Sequence, residues 1–132
     1  MATLNTCRYD VTPRAKLRMT RRDSWGNGKV RPAVERWRAF KDAVRVAGVT
    51  VEDGDALTFH LPMPASWSAK KRARHDGQPH RATPDLDNLI GGLFDAAMPD
   101  GDQHIAELGP CRKVWASEGA IDVARKKATA IP

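Results

Sequence analysis

The sequence predicts a single α/β domain of the α+β kind, ordered β-α-β-loop-α-β-β, with a small mixed sheet packed by two helices. Three observations predict it. A chain of 132 residues has the size of one domain, taken as 1–132. Two segments place apolar residues at helical spacing, and others alternate as strands do. The helical segments fall between the strand-like ones, and no internal repeat or low-complexity tract interrupts them.

Asn5 to Arg14 reads as the first strand. The stretch 11–31 is a basic, turn-rich loop, with Arg14, Lys16, Arg18, Arg21, Arg22, Lys29 and Arg31 against one acid, Asp23, and a break at Gly26-Asn27-Gly28. Pro32 suits the first turn of a helix and Gly48 the position just past its end. Between them Trp37, Phe40, Val44 and Ala47 share one face. Glu52-Asp53-Gly54-Asp55 forms a turn, and Leu57, Phe59 and Leu61 then alternate with Thr58 and His60 as a half-buried strand. The stretch 62–83 is a basic linker without regular structure, carrying Lys70, Lys71, Arg72, Arg74 and Arg81. Irregular connections of about that length in a compact domain are usually functional. Thr83-Pro84-Asp85 opens a second helix, with Leu86, Ile90, Leu93 and Ala97 as its stripe and Met98 to Gly101 as its end. Strands follow over His104 to Ala116 and Ala120 to Ala124, joined by a turn at Ser117 to Gly119. The tail, 125–132, reads as frayed.

Charge is distributed unevenly over this frame. The chain has 22 Lys and Arg against 16 Asp and Glu, a net +6. From Ala82 to Cys111 there is no Lys or Arg, and Asp85, Asp87, Asp95, Asp100, Asp102 and Glu107 bring that window to −6, so the rest of the chain carries +12. A basic protein with one acidic island suits a polyanion on its surface and a divalent cation held by carboxylates. Nucleic acid is the first partner implied by the pI of about 9.7. No apolar run approaches the roughly 20 residues of a membrane span. Met1 to Thr12 lacks the apolar stretch of a signal peptide, which leads to the expectation of a cytoplasmic protein without a membrane partner. Cys7 and Cys111 have no Cys or His neighbours at zinc-ligand spacing and read as reduced thiols.

Within the island, Asp85-Leu86-Asp87-Asn88 lies where a loop becomes a helix. Two carboxylates two residues apart diverge by about 200° inside a regular helix. They converge only if Asp85 precedes the first turn, which Pro84 favours. Asp102, before the following strand, is the third oxygen donor if the chain returns to the same corner. Three carboxylates from separate elements would hold Mg²⁺ or Mn²⁺ and leave positions for water and phosphate. The same residues have ordinary readings as a helix cap and as turn chemistry in Asp100-Gly101-Asp102. Sugar-nucleotide transferases also carry D-x-D, but 132 residues leave little room for such an enzyme.

Thr83-Pro84-Asp85-Leu86-Asp87-Asn88-Leu89-Ile90, then Leu93-Phe94-Asp95-Ala96 and Asp102-Gln103-His104-Ile105, resembles the RusA family of Holliday-junction resolvases. Pro13 to Arg22 is similar to the family's basic N-terminal stretch. Met63 to Ser68 and Gly77 to His80 resemble the linker of its phage and prophage members, and Lys113-Val114-Trp115 with Gly119-Ala120-Ile121 resembles its closing strands. The likeness spans roughly residues 10–124. It implies a homodimeric, Mg²⁺-dependent endodeoxyribonuclease of a bacterial or phage-infected cell, which resolves four-way junctions by paired nicks in recombination and repair and leaves 5′-phosphate and 3′-hydroxyl ends. It carries the catalytic and metal-binding roles to Asp85, Asp87 and Asp102. One departure stands out: the position of the family's catalytic Lys is Gly91 here, followed by Gly92. Close backbone packing or a dimer contact would explain the glycines. Alternatively Lys113, Arg81 or Lys70 supplies the charge.

Arg14, Lys16, Arg18, Arg21, Arg22, Lys70, Lys71, Arg72, Arg74, Arg81 and Lys113 are the candidate DNA contacts. Trp25 and Trp67, in basic loops, could stack at a branch point, whereas Trp37 and Trp115 read as packing residues. Of the histidines, His60 and His104 lie nearest to candidate chemistry. The alternatives are a branched-DNA-binding protein of the same fold with weak or lost catalysis, a metal nuclease for flaps, forks or RNA, and a metalloprotein that binds no nucleic acid.

Overall fold

The computed structural model describes residues 4–18 and 31–126. Its elements are β1 (Leu4–Tyr9), α1 (Pro32–Ala47), β2 (Ala56–Pro62), α2 (Ala69–His75), α3 (Leu86–Ala97), β3 (Cys111–Ala116) and β4 (Ala120–Lys126). The four strands form one sheet in the order β1-β4-β2-β3. β4 runs antiparallel to both β1 and β2, while β2 and β3 are parallel, with Phe59 opposite Lys113. A parallel pair requires a crossover, and the 62–111 segment with its two helices provides it.

Alternation in β2 turns Leu57, Phe59 and Leu61 to one sheet face, where Ile121 and Val123 of β4 join them. Trp37, Phe40 and Val44 of α1 and Leu89 and Leu93 of α3 cover that face. Phe59 and Leu93 are fully buried, each stabilising the fold by roughly 1.5–3 kcal/mol. The α1 stripe runs from Val34 to Val44, and Ala47, expected on it, is exposed. Pro32 occupies the first turn of α1. Gly48, at φ 69°, closes it by donating its N–H to Val44 and Arg45 carbonyls, a left-handed conformation that costs glycine little.

Several expected boundaries are corrected. β1 stops at Tyr9 instead of Arg14: the Val11 N–H turns back to the Tyr9 carbonyl (2.8 Å), and Pro13 has no N–H to offer a ladder. The third strand starts at Cys111 rather than His104, because Pro110 precedes it and residues 106–109 bond to the 53–55 turn instead. The linker 62–83 contains α2, which no apolar stripe announces because it buries no residue. Its available signal was Ser68, whose side chain accepts the Lys71 N–H (3.2 Å) ahead of a run of good helix formers. Arg125 is not frayed. Its guanidinium grips the fully buried Asp55 carboxylate through Nε (3.0 Å) and an Nη (2.8 Å). Residues 127–132 lie outside the described residues.

After β1 the chain forms a strap over 11–17. Gly119 lets it pass: a Cβ there would fall 2.7 Å from Thr12 Cα. Gly92 does the same on α3, where a Cβ would meet the Arg14 carbonyl oxygen and lie 3.0 Å from the Lys16 nitrogen. The Lys16 N–H donates to the Asn88 carbonyl (2.9 Å), so the strap is fastened to the first turns of α3.

Candidate active site

Asp85 is the N-cap of α3, with extended backbone (φ −68°, ψ 147°), and Asp87 lies in the first turn. The first carboxylate therefore precedes the helix, as convergence of the pair requires. The Asp85 side chain caps no N–H. Asp87 Oδ1 accepts the Asn88 N–H (3.0 Å). Both residues are exposed, and neither forms an ion pair among the described residues. Exposed carboxylate oxygens free of cationic partners, beside the positive end of a helix, are donors that fit a hard divalent cation.

Asp102 does not join them. Among the described residues no three His, Cys, Asp or Glu side chains stand close enough to hold one metal ion. The expected meeting of Asp85, Asp87 and Asp102 is therefore not formed. Asp102 follows the far end of α3, and 12 residues make a helix about 18 Å long. The loop after it is drawn toward the start of β2 instead of back along the helix. Asp53 Oδ1 accepts the N–H groups of Ala106 (2.7 Å) and Glu107 (2.9 Å), and the Asp55 carbonyl accepts that of Gly109 (2.8 Å). These bonds hold the Asp53 carboxyl below its usual range.

The approach to α3 is held by β3. The Lys113 ammonium donates to the carbonyls of Ala82 and of Pro84 (2.7 Å), and the Lys113 carbonyl accepts the His80 N–H (3.0 Å). Lys113, counted above among DNA contacts, thus spends two of its three donors on the backbone. His80 is buried, with its ring centroid 4.0 Å from that of Trp115, and burial followed by the Lys113 charge pushes its pKa down. Trp115 also meets Trp67 (4.7 Å), under the Lys71 ammonium, which stands 4.3 Å from the Trp67 ring centre. Trp67 is therefore half-buried packing for α2 and not a free wedge. Trp25 lies outside the described residues.

Exposed cations lie on the strap, which is bonded to the start of α3, and on α2. The strap contributes exposed Arg14 and Lys16, Arg18 follows it, and α2 contributes exposed Lys70 and Arg74 with no acid in the helix. Lys71 and Arg72 are partly committed, the latter donating to the Pro64 carbonyl (2.9 Å). Arg81 is exposed before the carboxylates, while Arg21 and Arg22 lie outside the described residues. A groove of about 650 Å³ runs between the strap, α1 and the approach to α3, lined by Arg14, Lys16, Arg36, His80, Pro84 and Trp115 among others. The side chain beside Gly91 is none of the three suggested by the sequence. Lys16 Cδ stands 3.5 Å from where a Gly91 Cβ would be, and its ammonium reaches Asp95 (3.5 Å). His60 is occupied elsewhere, paired with Asp122 (2.8 Å) on the sheet face away from the helices.

Compared with models of protein families, the chain matches the one described as Endodeoxyribonuclease RusA over residues 10–124. It belongs to the RusA family. No curated protein matches it. Membership makes the chain a nuclease of a family that acts on branched DNA junctions. The matched span contains every element from α1 to β3, the strap and the first five of the seven residues of β4. No helix among the described residues is long and apolar enough to cross a membrane.

Proposed function

We propose that this RusA-family chain is a Mg²⁺-dependent endodeoxyribonuclease, also served by Mn²⁺, that resolves four-way DNA junctions by paired nicks in recombination and repair. The observation that carries this reading is the pair of exposed carboxylates, Asp85 and Asp87, without ionic partners among the described residues, at the end of α3 to which the basic strap is bonded. Asp85 and Asp87 would hold the ion, with Asp102 delivered as third ligand by rearrangement of the 99–110 loop. Bound there, the ion would supply Lewis acidity for water activation and positive charge against the phosphate. The chain's own part is to position. The strap and α2 place guanidinium and ammonium groups along the backbone phosphates, and the fixed start of α3 aims the carboxylates at the scissile one. Two nicks related by the two-fold axis of a junction need two sites related in the same way, so the active species is a homodimer.

The test is cleavage of a synthetic mobile four-way junction by purified protein and Mg²⁺, beside flaps, forks, duplex and RNA. Symmetric paired nicks on the junction alone support the proposal, and preference for another substrate overturns its specificity. A second reading, a branched-DNA-binding protein with weak or lost catalysis, draws on Gly91 and on the absence of a gathered three-carboxylate cluster among the described residues. Junction binding without cleavage in either metal would favour it.

A further inference from the structure

One residue of β3 touches the approach to the candidate carboxylates at three places. Lys113 touches three alternate positions of the preceding segment: its carbonyl accepts from His80, and its ammonium donates to Ala82 and Pro84. The next residue is Asp85. Segment 80–84 contributes no other strand or helix to the fold, and its neighbour Pro79 makes only an isolated bridge to Val114. Two backbone carbonyls just ahead of Asp85, those of Ala82 and Pro84, are thus held by one ammonium. That ammonium rises from a strand whose register is set by β2, through the pair Phe59 and Lys113. A Lys kept half-buried on carbonyl oxygens, when exposed Lys70 and Arg74 stand elsewhere, is spent on geometry more than on phosphate.

We infer that Lys113 is a positioning residue: by holding the Ala82 and Pro84 carbonyls it orients Asp85 and Asp87 for the divalent cation. The inference rests on the metal-site reading above and assigns Lys113 no contact with substrate. Groups that orient metal ligands from behind typically change metal affinity or activity by about 10- to 100-fold when removed.

The experiment titrates Mn²⁺ into the full chain without DNA, by calorimetry or by the loss of free-ion resonance signal. Lys113→Met is expected to raise the half-saturating concentration at least about tenfold. Lys113→Gln, which keeps one donor group, should fall between Met and wild type, and Lys113→Arg closest to wild type. If the Met variant does not fold, the order of Gln and Arg still decides. Junction affinity and its dependence on salt should be unchanged in all three. A phosphate contact would instead reduce the log–log salt slope by about 0.9, and that result overturns the inference. So does a Lys113→Gln variant that binds Mn²⁺ as wild type does. If wild-type protein binds no Mn²⁺ and Asp87→Asn cuts junctions normally, the metal-site reading fails first and takes the inference with it. If wild type binds Mn²⁺ and Asp87→Asn does not, while Lys113 variants bind normally, only the inference fails.

Discussion

The segments before and after α3 are held by opposite chemistry. At its start a cation does the holding: Lys113 fixes the carbonyls ahead of Asp85, and the carboxylates of Asp85 and Asp87 remain exposed and without ionic partners among the described residues. Beyond its other end, acids do the holding. Asp53 grips two loop N–H groups, and buried Asp55 pairs with Arg125. Asp53 and Asp55 lie outside the −6 window and looked like turn residues. An acid is available for chemistry only when its oxygens are not already committed, and a count of charges cannot report that.

The largest test of this contrast is Arg125→Met. It leaves Asp55 buried without its cation and should cost roughly 3 kcal/mol in urea unfolding, near the lower end for a broken buried pair, because the Arg125 side chain is 36 % exposed. A loss below about 1 kcal/mol, the scale of a surface pair, would show that the pair is not held as a buried one. Asp87→Asn should slow junction cleavage at least about 100-fold, or about 2.7 kcal/mol of barrier, with junction affinity retained. Asp102→Asn should slow it about tenfold, since that side chain reaches the ion only after the loop moves. Equal losses would place Asp102 in the resting site, and no loss would leave a two-carboxylate centre.

Gly92→Ala probes how the strap is joined to the free end. Its methyl group would meet strap backbone, which cannot swing aside as a side chain can. About 1–3 kcal/mol of destabilisation is expected, with weaker junction binding as Arg14 and Lys16 are displaced.

The smallest effect is a difference in acid sensitivity. His80 is held below its ordinary value of 6.5 by burial and then by Lys113, so the unfolded chain takes up its proton first as pH falls. The start of α3 should lose stability from about pH 6.5 downward and regain it as pH rises. Asp53, lowered from 3.8 by its two backbone hydrogen bonds, contributes stability above 3.8 that is lost only as pH falls through its depressed folded value. Amide exchange near 80–84 should therefore quicken at a higher pH than exchange at Ala106 and Glu107. His80→Phe should remove the first transition and leave the second.

Where side chains repeat at one period, the fold was legible. Leu57, Phe59 and Leu61 announced β2, and Trp37, Phe40 and Val44 announced α1, because burial on one face demands that spacing. The start of α3 was legible as well, since Pro84 marks where the helix begins and Asp85 precedes it. Elements without a buried face were not legible. α2 buries none of its residues and rests on a capping serine and on Trp67 against Trp115. The position of Lys16 beside Gly91 was also hidden, because 75 residues separate the two in sequence and tertiary contacts of the strap with Asn88, Gly92 and Asp95 bring them together.

By itself the sequence determined the mixed α/β class, the two amphipathic helices, the basic character with its acidic island, and the likeness to the RusA family. Those follow from local periodicity, composition and a contiguous motif. Tertiary structure alone decided which acids are free and which are bound, that Asp102 stands apart from its supposed partners, and that Lys113 holds backbone instead of standing open to phosphate. The reason is physical: the role of a charged side chain is set by the groups that neutralise it, and here those groups come from other elements of the chain.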